Sequence, residues 1–174
     1  WDVSSLVMGL SWPAEVIAAA IPGYSTTRTA TFKESGESIF PNPVHVGLYA
    51  PLNSELAYRR STEPYKDAFL LTGDYKGAHV EFEKQTSTYK VFGPFETKNR
   101  WVVFRIKPGD PNTLPELEEE LLIGTCHKVE DLICHTSLSF RNYELDVSIP
   151  GPNIHLRDEI KEFILDQLEG WRIK

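Results

Sequence analysis

Residues 125–137, Thr-Cys-His-Lys-Val-Glu-Asp-Leu-Ile-Cys-His-Thr-Ser, hold both cysteines and two of the five histidines of the chain. The dipeptide Cys126-His127 recurs as Cys134-His135. Thiolate and imidazole are the preferred ligands of zinc, and a thiol paired with an imidazole is also an activated nucleophile. Either chemistry requires the side chains to converge on one point. The elements that carry them decide whether they do.

The second dipeptide opens a hairpin. Cys134, Thr136, Leu138 and Phe140 alternate with His135, Ser137 and Ser139, and Tyr143, Leu145, Val147 and Ile149 alternate with Glu144, Asp146 and Ser148. A two-residue turn at Arg141-Asn142 sets Phe140 opposite Tyr143 and puts the eight first-named residues on one face. Strand alternation then turns Cys134 toward the core and His135 away from it, so one ion is not easily held by both. The cysteines stand eight positions apart, which also misses the short spacing of a zinc knuckle. Cys134 is therefore expected to be a small core hydrophobe, with no metal and no cofactor implied. A disulfide between Cys126 and Cys134 is geometrically open. Two cysteines without any N-x-S/T acceptor favour instead a reducing, intracellular and cytoplasmic setting.

Removing the cysteines leaves His135 and Ser137 on the outward face, and Pro43-Val-His45-Val-Gly47-Leu places another histidine on a strand. Two strand histidines on a polar sheet face can serve as general base and general acid at a phosphodiester, with hydroxyls holding phosphate oxygens. The pattern resembles the two-histidine phosphoesterases, whose sheet carries two H-x-T/S motifs. His135 and Ser137 match the second motif. At the first, Gly47 stands where the hydroxyl residue belongs, and the helix that the family places after a motif is replaced here by another strand. The resemblance implies His45, His135 and Ser137 as catalytic residues acting on a nucleotide or RNA phosphodiester. It requires both imidazoles to face one cleft.

The strand around Trp101, Val103, Arg105 and Lys107 offers a different use. Those four residues share one face, opposite Val102, Phe104 and Ile106, and an exposed Trp with Arg favours protein docking. The alternative is a central strand covered on both sides. Glu116, Glu118, Glu119 and Glu120 read as the solvated face of a helix, and no dinucleotide, P-loop, nucleophile-elbow, metalloprotease or EF-hand motif occurs.

Elsewhere, Ser11 is positioned to cap a helix through Trp12–Ala20 whose apolar face is Val16, Ile17, Ala20 and Ile21, with Pro22-Gly23 ending it. Tyr24–Lys33, Val44–Tyr49, the surroundings of Phe82, Tyr89–Val91 and Trp101–Ile106 read as strands, and residues 52–66 as a long loop. Thr113 and Glu116 form a capping box for a helix carrying Leu114, Leu117, Leu121 and Leu122, which Gly124 stops. Leu156, Ile160, Phe163, Ile164 and Leu168 form the stripe of a C-terminal helix that Gly170 closes.

With 174 residues, 41% hydrophobic and 25% charged, the chain suits a single domain, 1–174, of an ordinary globular protein. It begins at Trp1, so it reads as a piece of a longer product. The net charge of −7 argues against nucleic acid or an anionic membrane as partner, and no apolar run reaches the length of a membrane span. The fold class is α+β: an antiparallel sheet or small sandwich of about 6–8 strands with 2–3 packed helices. The functional expectation is a non-catalytic interaction or assembly subunit, self-associating or docking a protein partner in the manner of a viral shell protein. The two-histidine phosphodiesterase is the alternative.

Overall fold

The computed structural model describes residues 6–27, 29, 42–49, 82–85, 89–95, 99–105 and 122–171. The fold is α+β, with eight strands and two α-helices among those residues. Contacts group the chain into two compact units, Trp1–Pro51 with Glu130–Lys174, and Leu52–Val129.

The first unit is built on four antiparallel strands in the order β1-β2-β8-β7: β1 (Leu6–Trp12), β2 (Val44–Tyr49), β8 (Tyr143–Pro150) and β7 (Leu132–Phe140). β7 and β8 form the expected hairpin. Phe140 pairs with Tyr143, Leu138 with Leu145, Thr136 with Val147 and Cys134 with Ile149. Arg141, the first turn residue, takes a left-handed φ of 54°, and its guanidinium lies 5.0 Å over the Phe140 ring and 3.3 Å from Glu169. Leu145, Val147, Ile149 and Cys134 are fully buried, and Leu132, Thr136 and Leu138 nearly so. The residues between them face the other way.

Helices cover the apolar face. The short α1 (Ala14–Ala20) buries Ala14 and Ile17, and Ile21 at its C-terminus is buried as well. A 3₁₀ turn (Gly151–Leu156) leads into α2 (Arg157–Gly170), which buries Ile160 and Ile164. The expected C-terminal helix is observed and ends at Gly170; of its expected stripe Ile160 and Ile164 are buried, Phe163 and Leu168 are half-buried, and Leu156 belongs to the preceding 3₁₀ turn. Trp12 closes the aromatic end of this core, edge-on to Phe163 and stacked on Trp171, each at 6.0 Å between ring centroids. Gly151 must be glycine: a Cβ there would collide with the Leu132 side chain.

Three local readings are corrected. Ser11 does not cap α1, because it and Trp12 belong to β1, where Trp12 pairs with Val44 and is buried; Pro13 is the N-cap residue. Val16 is 48% exposed, so the buried face runs through Ala14, Ile17 and Ile21. Leu122 and Gly124 are not the end of a helix but part of β6 (Leu122–Lys128), with Gly124 paired to Val103. The capping box at Thr113 and Glu116, the 52–66 loop and half of the expected 24–33 strand lie outside the described residues, and the described Tyr24–Thr27 belongs to no strand.

The 24–27 segment is held by side-chain amides. Asn153, fully buried, accepts from Ser25 N–H through Oδ1 at 2.7 Å and donates from Nδ2 to the Ser25 carbonyl at 2.9 Å. The Tyr24 hydroxyl donates to the Asn42 carbonyl at 2.6 Å, while the Asn42 amide donates to the Thr27 carbonyl. Such pairing meets the requirement that buried backbone groups find partners.

The second unit holds four antiparallel strands in the order β6-β5-β4-β3: β3 (Phe82–Gln85), β4 (Tyr89–Phe95) and β5 (Arg100–Arg105), then β6. Val91 and Val103 are fully buried. Lys128 N–H donates to the Asn99 carbonyl at 2.9 Å, closing the end of the β5–β6 ladder.

Two measurements check this core. Leu145→Ala removes a fully buried side chain beside Leu138 and should cost about 2–5 kcal/mol in denaturant unfolding, and Gly151→Ala about 1–3 kcal/mol through overpacking. Burial pushes the Tyr24 phenol above its ordinary 10.0, partly offset by a hydrogen bond with Asn153. The folded state thus keeps the Tyr24 proton after the unfolded chain has lost it. Its contribution is fully present below about pH 10 and falls as pH climbs further. Tyr24→Phe should flatten the loss of stability between neutral pH and the alkaline limit.

Candidate functional site

The face of the first unit's sheet that α1 and α2 leave uncovered collects polar residues in register. His45 on β2 pairs with Ser148 on β8, and Ser148 pairs with His135 on β7. Ser11 on β1 pairs with His45 on the other side. Directly paired residues of antiparallel strands project to the same face, so Ser11, His45, Ser148 and His135 form one row across the four strands. The two imidazoles share a face and straddle Ser148. Two inter-strand steps place their Cα atoms about 10 Å apart.

The adjacent row runs Gly9, Gly47, Asp146 and Ser137. Ser137 is exposed, as the outward reading of the hairpin requires. Gly9 has open space above it. A third row continues with Tyr49, Glu144 and Ser139. The resulting surface offers two imidazoles, several hydroxyls and two carboxylates, with open space over Gly9 at its β1 edge.

His135 is the better anchored histidine. Its Nδ1 lies 3.2 Å from Ser148 Oγ, in hydrogen-bonding contact, and 3.5 Å from Asp146 Oδ1. Contact at Nδ1 with Ser148 and Asp146 orients the imidazole on the sheet face. The His135 side chain is 34% exposed, and His45 is exposed. On the opposite face, Thr136 Oγ1 accepts from Arg157 Nε at 3.3 Å, and Arg157 is tied in turn to Asp158 at 3.0 Å. This fastens α2 to β7 directly beneath the site.

The site residues expected from the sequence fare differently. His45, His135 and Ser137 are brought onto one face. Ser148 and Asp146, which complete the surroundings of His135, belong to no motif in the sequence, although the hairpin register sets Ser148 opposite His135 and Asp146 opposite Ser137. Trp101 and Val103 are buried, at 6% and 0% exposure, and so is Val102 at 4%. β5 is thus covered on both faces there, and the two apolar members of the docking patch are not presented to a partner. Arg105 is exposed, and Lys107 lies outside the described residues.

The cysteines require a correction. Cys134 is fully buried, as expected, but it is not a free thiol: Cys126 and Cys134 are both disulfide-bonded. A nucleophilic or metal-binding thiolate is thereby excluded in this state, since both functions need the free thiolate. Each Cys-His pair also lies on a strand, with Cys126 and Cys134 buried and His127 and His135 on the alternate face. Among the described residues, no three His, Cys, Asp or Glu side chains gather as a metal-holding group. No helix among them is long and apolar enough to cross a membrane.

No protein-family model, curated protein or solved structure matches this chain.

The disulfide-bonded state has a direct check. Alkylation of the denatured but unreduced protein should label neither cysteine, and alkylation after reduction should label both, as read by intact mass.

Proposed function

We propose that the chain is a phosphodiester-cleaving enzyme of the two-histidine type, acting on a nucleotide or RNA phosphodiester through His45 and His135. The observation that carries this reading is the row His45–Ser148–His135 on one sheet face, with His45 exposed and Ser148 and His135 half-buried. Two imidazoles on either side of a central hydroxyl provide the two proton-transfer groups that such a reaction uses. One removes the proton from the attacking hydroxyl or water as its oxygen bonds to phosphorus. The other delivers a proton to the leaving oxygen as the original P–O bond breaks. Ser137 and Ser148 stand beside the histidines as donors to the phosphate oxygens, and Asp146 with Ser148 orients His135.

The competing reading, a self-associating assembly subunit, has less support. Its proposed patch rests on Trp101 and Val103, which are covered. The large exposed apolar residues of the described chain, Met8, Val16, Val129, Tyr143 and Trp171, are scattered along the sequence. Disulfide-bonded Cys126 and Cys134 support work in an oxidising compartment, in place of the cytoplasmic setting expected from the cysteine count.

The test is turnover of a panel of cyclic nucleotides and short oligoribonucleotides by the purified chain. His45→Ala and His135→Ala should each lower kcat about 10²–10⁴-fold with the fold retained by circular dichroism. Hydrolysis that survives both substitutions unchanged, or a parent without activity on the whole panel, overturns the reading.

A further inference from the structure

The first motif of the candidate site lacks its hydroxyl residue, because Gly47 occupies that position. Its space is nevertheless filled. A Cβ built on Gly47 would stand 2.8 Å from Tyr49 Cε2, 3.0 Å from the Tyr49 hydroxyl oxygen and 3.2 Å from Cζ. Tyr49 is two residues further along β2, so both positions lie on the face that carries His45. Its ring folds back along the strand over Gly47. The phenol oxygen therefore comes down where a side chain at position 47 would begin, next to the His45 row.

Both halves of the site then have the same composition. On one side His135 is followed, two positions on, by the Ser137 hydroxyl. On the other, His45 is followed by a glycine whose place is taken by the Tyr49 hydroxyl. Asp146 separates the two hydroxyl-bearing positions just as Ser148 separates the two histidines. Glycine is what permits this: any larger residue at 47 would push the ring away, since a Cβ essentially never tolerates a 2.8 Å contact.

We propose that the Tyr49 hydroxyl, seated over Gly47, donates a hydrogen bond to a phosphate oxygen of the substrate and so replaces the missing hydroxyl of the first motif. The inference rests on the phosphodiesterase reading above and names a ligand contact within it. A phenol O–H is a competent donor to an anionic oxygen, and such charge-assisted bonds are stronger than neutral ones. Tyr49 is a binding residue in this role and takes no part in proton transfer.

The experiment measures the dissociation constant of inorganic phosphate, together with kcat and KM on the best substrate of the panel. Tyr49→Phe keeps the ring over Gly47 and removes only the donor. It should weaken phosphate binding and raise KM by about tenfold or more, leaving kcat within a few-fold and the thermal midpoint unchanged. Gly47→Ser should also weaken binding, because its side chain displaces the ring. The combination Gly47→Ser with Tyr49→Ala, which clears the ring and restores a hydroxyl at position 47, should recover most of the affinity lost in Tyr49→Ala alone. Phosphate affinity and KM unchanged in Tyr49→Phe overturn the inference while leaving the histidine reading intact if His45→Ala and His135→Ala still abolish turnover. A parent that neither binds phosphate nor turns over any substrate overturns both.

Discussion

Burial of Leu145, Val147 and Ile149 along one face of β8 is the constraint on which the first unit depends. All three are fully excluded from water, and each such side chain contributes about 1.5–3 kcal/mol. Together they approach the whole net stability of a small domain, about 5–15 kcal/mol. Shifting either partner strand by one residue would turn its buried side chains outward and bring polar ones against the helices. Register is therefore strongly specified on both sides of β8: by Cys134, Thr136 and Leu138 on β7, and by Val44 and Val46 on β2. The alignment of the polar face follows without further expenditure, since each residue between two buried ones has nowhere else to point.

The same alternation both dissolves one candidate site and assembles another. It separates each cysteine from its neighbouring histidine, and so takes apart the ligand cluster that adjacency in the chain suggests. On the opposite face it gathers residues far apart in sequence, Ser11, His45, Ser148 and His135, into one row. The helices matter to this surface indirectly. α2 is held to β7 through the Arg157–Thr136 contact and packs Ile160 and Ile164 into the core. The polar rows thus sit on a sheet braced from behind, where chemistry that needs fixed distances between groups is best supported.

Where the sequence misleads, tertiary packing overrides a valid local signal. Ser11-Trp12-Pro13 has the composition of a helix start, yet Trp12 gains more from burial against Phe163 and pairing with Val44 than from a helical turn. Leu122 and Gly124 fit the end of a leucine-striped helix, yet both belong to a strand paired with β5. Trp101 and Val103 alternate as though one strand face were open, but burial of Val102 beside them shows both faces covered. The count of two cysteines argued for free thiols, and a count carries no information about pairing.

The amino-acid sequence by itself determined the β7–β8 hairpin with its register, the C-terminal helix with its apolar stripe, and the outward direction of His135 and Ser137. These depend on periodicity and on a two-residue turn, which act over short stretches of chain. Only the tertiary structure decided that β2 docks on the far side of β8, and hence that His45 shares a face with His135. That pairing joins residues about a hundred positions apart, as His45 with Ser148, and no local pattern specifies it. It is settled by which apolar strand faces can be buried together, and the candidate site is a by-product of that choice.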